Sequence, residues 1–217
     1  YYRLTAIDEM GNESQFSNED SASISLFSEI NHDLPAVVYG DMDWADYDND
    51  GDLDVFITGY TGTDGVSKLY TYNAQDSSFT LSKNSFSGLY YSSADWSDYD
   101  QDGDLDLLVA GYTGSGVETK LYSNNNGVFT AVNTDIAGVF SGNVDWGDYD
   151  NDGDEDVLIG GTGLDGPLTK VYKNSNGIFS EDIAVSSALT DLTEGEYHWV
   201  DYNNDGQLDI FITGNTG

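Results

Sequence analysis

Aspartates recur at alternate positions in four short stretches of this chain, and carboxylates at that spacing do metal chemistry. The pattern is Asp-x-Asp/Asn-x-Asp-Gly-x-x-Asp. Positions 1, 3 and 5 turn oxygens to the inside of a tight bend, and Gly at position 6 lets the backbone reverse. A main-chain carbonyl at position 7 and a carboxylate at position 9 complete the ring. The candidate side-chain ligands are Asp46, Asp48, Asp50 and Asp54 in the first loop, and Asp98, Asp100, Asp102 and Asp106 in the second. Asp148, Asp150, Asp152 and Asp156 supply the third loop, and Asp201, Asn203, Asp205 and Asp209 the fourth. The carbonyl ligands are those of Asp52, Asp104, Asp154 and Gln207.

Oxygen donors in a flexible cage suit Ca²⁺, whereas Mg²⁺ demands a stricter octahedron. With no cysteine and only His32 and His198, zinc and copper sites are disfavoured. An EF-hand begins in the same way but needs Glu at position 12 and flanking helices. Position 12 here is Ile57, Val109, Ile159 and Ile212, each inside a β-forming run, so that reading fails. A solvated acidic turn explains one such loop more easily than four in register. The expectation is about four Ca²⁺ ions, the fourth bound more weakly because of Asn203 and Gln207.

The loops must be positioned by strands. After each comes an apolar run: Val55-Phe56-Ile57, Leu107-Leu108-Val109, Val157-Leu158-Ile159 and Ile210-Phe211-Ile212. Short continuous runs bounded by Gly read as buried strands. A Gly- and Thr-rich turn follows, then Lys68-Leu69-Tyr70, Lys120-Leu121-Tyr122 or Lys170-Val171-Tyr172 as a third strand. A further turn leads to a fourth, such as Val128-Phe129-Thr130. With the strand that carries the Trp before each loop, this makes four strands per unit at a period of about fifty residues. That is the signature of tandem β-propeller blades, an all-β fold without helices.

The units resemble the FG-GAP/VCBS repeats of integrin-α-like propellers, in the form common in exported bacterial proteins. The resemblance covers residues 24–217 and rests on the phrase Asp-Trp-x-Asp-Tyr-Asp-x-Asp-Gly-Asp, which starts at Asp43, Asp95 and Asp145. A looser copy runs from His198 to Asp209. Residues 1–23, with Tyr1-Tyr2-Arg3-Leu4-Thr5-Ala6-Ile7-Asp8 and Gly11-Asn12-Glu13-Ser14, resemble the last hairpin of a fibronectin type III domain. The chain opens mid-phrase, which suggests a piece of a larger exported protein. The resemblance implies metal binding at the loop positions named above and a location outside the cell or on its surface.

The chain's 217 residues hold 40 acidic and 6 basic residues, a formal charge of −34. Nucleic-acid binding is excluded on that balance, because phosphate contacts need Lys and Arg. No run reaches the ~18 apolar residues of a membrane-spanning helix. Aromatic content of 13% argues for a folded chain over an acidic disordered one.

Outside the loops, Trp44, Trp96, Trp146 and Trp199 read as blade-to-blade core in preference to a sugar platform. Tyr47, Tyr99, Tyr149 and Tyr202 read as covers for the metal turns. Lys68, Lys120 and Lys170 read as cations paired to neighbouring carboxylates. His198 stands where the other units carry Asp43, Asp95 and Asp145, and reads as a packing or capping residue. No nucleophile has a base placed beside it by motif and no phosphate loop is present, so no catalytic residue is expected.

The sequence therefore points to a calcium-binding structural or adhesion module of the cell surface. Its expected partners are a protein or glycan of the surface or matrix. The alternatives are a carbohydrate-binding lectin propeller and a subunit of an extracellular filament. Self-association into polymers would follow if the strand near residues 24–30 and the two-stranded last unit leave open edges.

Overall fold

The computed structural model describes residues 33–216. The fibronectin-like hairpin expected at residues 1–23 and the strand expected near residues 24–30 lie outside the described residues.

Three complete four-stranded units and one half unit follow in order, each an antiparallel meander. Blade 1 is β1 (Met42–Ala45), β2 (Asp54–Tyr60), β3 (Gly65–Asn73) and β4 (Ser78–Leu81). Blade 2 is β5 (Tyr90–Ser97), β6 (Asp106–Tyr112), β7 (Val117–Asn125) and β8 (Val128–Val132). Blade 3 is β9 (Phe140–Gly147), β10 (Asp156–Gly163), β11 (Gly166–Ser175) and β12 (Ile178–Glu181). Blade 4 has two strands, β13 (Thr193–Val200) and β14 (Asp209–Asn215). The expected strand order thus holds in every unit. Among the described residues the one departure from all-β is a single helical turn, α1 (Ile183–Ser186), capped by the Asp182 carboxylate.

The continuous apolar runs are explained by what lies on either side of a blade. Side chains alternate across a strand, and here both faces are covered. Leu107 and Val109 face blade 1, where they join Phe56, Leu69 and Leu89. Leu108, between them, faces blade 3 and joins Val144, Val157 and Ile159. Leu158 faces the half-blade and packs with Val171 and Tyr197. Burial of each such side chain stabilises the stack by about 1.5–3 kcal/mol. Tyr197 is wholly buried where the other units carry Met42, Ala94 and Val144. It fits because Gly160 opposite has no side chain: a Cβ there would lie 2.0 Å from the Tyr197 ring.

The first strands of the four units lie side by side in chain order, β1, β5, β9 and β13, around a polar cavity of about 410 Å³. Among the described residues, each unit is a separate sheet and no strand of blade 1 pairs with the half-blade. Large side chains are exposed at both ends of the row. Trp44 is 44% exposed, whereas its three counterparts are partly buried against a preceding blade. Phe211 on β14 is 58% exposed, whereas Phe56, Leu108 and Leu158 at the same repeat position are fully buried.

Candidate metal centre

Each acidic loop joins the first strand of a blade to the second. The position-1 carboxylate ties the bend together: Asp46 accepts the N–H groups of Asp50 and Gly51, both at 3.0 Å. Asp148 and Asp201 repeat this pair of bonds, and Asp98 accepts the Gly103 N–H at 3.1 Å. The position-5 carboxylates of Asp50, Asp102, Asp152 and Asp205 each accept the N–H two residues on. Position 6 is left-handed in all four loops, with φ between 83° and 95°. Nothing crowds a Cβ at any of these glycines, so it is the positive φ that requires Gly.

Position 9 begins the buried second strand and faces two ways. One oxygen of Asp54 accepts the Tyr72 N–H at 2.8 Å, one of Asp106 the Asn124 N–H at 2.7 Å, and one of Asp156 the Asn174 N–H at 2.7 Å. The second oxygen of Asp54 and of Asp106 is buried without any hydrogen-bond partner, as is one oxygen each of Asp48, Asp98 and Asp209. A buried acceptor left unpaired costs about 1–3 kcal/mol, more when charged. The missing partner must therefore be a cation or a proton. Burial, reinforced by neighbouring loop carboxylates, raises the carboxyls of Asp54 and Asp106 to about 7 and that of Asp156 to about 6. An all-oxygen donor set with orphaned buried acceptors fits a hard divalent cation.

Ligand atoms converge within 4.8 Å in three loops, from Asp46, Asp48 and Asp50, from Asp98, Asp100 and Asp106, and from Asp148, Asp150 and Asp156. The fourth loop brings no such trio of carboxylates together among the described residues. At position 7 the side chains turn away to their own blade. Asp52, Asp104 and Asp154 accept the N–H groups of Ala74, Asn126 and Asn176 in the turn between the third and fourth strands.

Several neighbours of the loops carry a role that the sequence reading missed. Asn124 is fully buried and donates to Tyr47 O in the first loop and to Leu105 O in its own. Asn174 does the same with Tyr99 O and Glu155 O. The available signal was the spacing of Asn124 and Asn174, identical to that of the loops they serve. Lys173 reaches into the third loop and bridges Asp150 and Asp152. Its counterparts Thr71 and Ser123 carry no charge. Of the expected lysine pairings, Lys120 meets Glu118 and Lys170 meets Glu181, both at 2.6 Å.

Tyr47 and Tyr99 are buried between blades. Tyr99 stacks on Trp146 of the next blade and Tyr149 on Trp199. Tyr202 has no next blade to meet among the described residues and is 74% exposed.

A second acidic row lines the axial cavity, and its bonds are structural. Asp95 accepts the Trp146 N–H at 2.9 Å and Asp145 the Trp199 N–H at 2.7 Å, so each clasps the following blade. Burial, with the charges of Asp145 and Asp43 close by, raises Asp95 to about 7. His198 ends the row, exposed and 3.3 Å from Asp145, with Glu196 on its other side, so it makes polar contacts at the rim and is not packed into the core.

The FG-GAP-like repeat pattern matches residues 46–109 and 98–159, each match running from one acidic loop through the apolar strand after the next. The chain belongs to the FG-GAP-like repeat family. No curated protein matches it. FG-GAP-like repeats are structural and adhesion-type units typical of extracellular proteins. The matches cover the first three loops, and the fourth lies beyond them. No helix among the described residues is long and apolar enough to cross a membrane.

Proposed function

We propose that this chain is a calcium-stabilised structural or adhesion module that works outside the cell, with Ca²⁺ in each acidic loop. The observation that carries this reading is the position-9 aspartate. In Asp54 and Asp106 one oxygen is fastened to the third strand and the other is buried without a partner, whereas the second oxygen of Asp156 accepts the Tyr149 N–H at 3.3 Å. An ion held there would join the loop, the second strand and the third strand, making metal binding part of folding. Weak, millimolar extracellular calcium suffices for modules of this kind. Calorimetric titration of chelator-stripped protein tests it. A stoichiometry near four is expected, and a value of zero or one overturns the reading.

A second reading, carbohydrate binding, draws on an aromatic group at the end of the strands opposite the loops. Tyr39 and Tyr91 stand with ring centroids 4.5 Å apart, and Tyr60, Tyr90, Tyr112 and Phe140 continue the group. Tyr39 and Tyr91 both hold a positive φ, as do Ser141 and Glu194 at the same repeat position, so that conformation belongs to the irregular start of each first strand and not to the aromatic group. The tryptophan row supports this reading less, because three of its four members are engaged between blades. A glycan array in which binding is lost on Tyr39→Ala would raise this reading above the first. Self-association through strand addition is a further expectation, which light scattering of the chain would detect.

A further inference from the structure

Position 4 of the loops has no role that the sequence shows, yet in the first two loops its side chain reaches the neighbouring loop. Asn49 donates to Asp104 Oδ1 at 2.9 Å and to Gly103 O at 3.4 Å, across to the loop of blade 2. Gln101 donates to Gly153 O at 2.6 Å and to Asp154 Oδ1 at 3.1 Å, across to the loop of blade 3. Both residues hold the left-handed backbone, with φ of 58° and 59°. That conformation is uncommon outside Gly, least so for Asn, and here it aims the amide at the next blade.

The acceptors matter because of what they adjoin. Gly103 O and Gly153 O belong to the peptide immediately before the position-7 residue whose carbonyl is the expected ligand. The Asp104 and Asp154 carboxylates are also fastened, through their other oxygen, to the Asn126 and Asn176 N–H groups. On the donor side, Asn49 lies between Asp48 and Asp50, and Gln101 between Asp100 and Asp102, which are candidate ligands of their own loops. An ion that fixes Asp48 and Asp50 fixes the backbone from which the Asn49 amide projects. That amide then holds the next loop in its binding shape, so part of the ordering cost of the second ion is met by the first.

The chain of contacts stops at a defined place. Asn151 has the same residue type as Asn49 and the same φ of 58°. The position it would reach in the fourth loop is Gln207, not Asp, and among the described residues no hydrogen bond joins Asn151 to that loop. We propose that the amides of Asn49 and Gln101 couple the first three loops, so that calcium fills them cooperatively while the fourth loop fills on its own. This rests on the calcium reading above. Repulsion between bound ions opposes the coupling, but exposed charges are screened within about 8 Å at physiological salt.

The test is calorimetric calcium titration of the whole chain in 0.15 M salt, comparing the wild type with the double variant Asn49→Gly, Gln101→Gly. Glycine keeps the left-handed backbone and removes only the amides. The wild type should show a cooperative phase for three sites and a separate phase for one. The double variant should keep four sites, lose the cooperativity, and bind the second and third ions ~5- to 10-fold more weakly, in the usual range of coupling. Four sites with a Hill coefficient of 1 in the wild type, or unchanged cooperativity in the variant, overturns the coupling and leaves the calcium reading standing. No binding at all overturns both. The variant Gln207→Asp tests the converse without weakening any contact. It places at position 7 the carboxylate that Asn49 and Gln101 meet in the second and third loops, and should bring the fourth loop into the cooperative phase; a fourth loop that still fills separately counts against the mechanism.

Discussion

Asp106 and Asn124 lie 18 residues apart in sequence and are joined by a bond of 2.7 Å between the Asp106 carboxylate and the Asn124 N–H. The same aspartate keeps its other oxygen buried and unpaired, and the Asn124 side chain reaches on to Tyr47 O in the neighbouring blade. One pair of residues thus links an acidic loop, its supporting strand and the adjacent blade.

Asp106→Asn tests the site directly. It keeps the shape and the acceptor for the Asn124 N–H but removes the charge. Calcium stoichiometry should drop by one. At calcium about 100-fold above the dissociation constant, stability should fall by about 2.7 kcal/mol, the mass-action contribution of one ion. An unchanged stoichiometry places the ligand elsewhere.

Asn124→Ala probes the blade-to-blade link and should act with or without metal. It leaves Tyr47 O and Leu105 O without their donor and the Gly127 N–H without its acceptor. Buried groups orphaned in this way cost about 1–3 kcal/mol each. Chemical denaturation in excess chelator should show a loss of at least that size, and no loss would mean that water replaces the amide.

Lys173→Met should tighten the third site. The ammonium group bridges Asp150 and Asp152 and competes with an incoming cation for the same carboxylates. Methionine retains an unbranched stem without the charge. A several-fold gain in affinity confined to one site is expected from calorimetry, and weaker binding would show that Lys173 supports the loop.

The pH dependence of stability should reverse sign with calcium. In the metal-free protein, Asp54, Asp106 and Asp156 are raised to about 7, 7 and 6, above their unfolded values near 3.9. The folded state then binds protons more tightly than the unfolded one, so acidification from pH 8 to pH 5 should stabilise the chelated protein. With saturating calcium the same protons compete with the ion, and stability should fall over that range. Thermal melts at several pH values, with and without chelator, check both slopes. Parallel slopes would dissociate these carboxylates from the metal.

The sequence by itself determined the repeat, the four-stranded unit and the loop residues, because each depends only on local chemistry. Alternate aspartates and a Gly at position 6 define a bend, and an apolar run such as Leu107-Leu108-Val109 defines a strand covered on both faces. What it left undecided depends on which blade stands next to which. Tyr47 was legible as a loop residue, but its burial against Phe129 of the following blade was not. Lys173 carries no local signal either, since its partners Asp150 and Asp152 meet it only where the third strand lies beside the third loop. Asn49 and Gln101 carry no local signal beyond a polar side chain, since their acceptors lie 54 or 55 and 52 or 53 residues away. Hydrogen bonds of that separation are fixed by the angle between neighbouring blades, which arises from packing Leu108 against Val157 and Phe56 against Leu107, and so only the tertiary structure decides them.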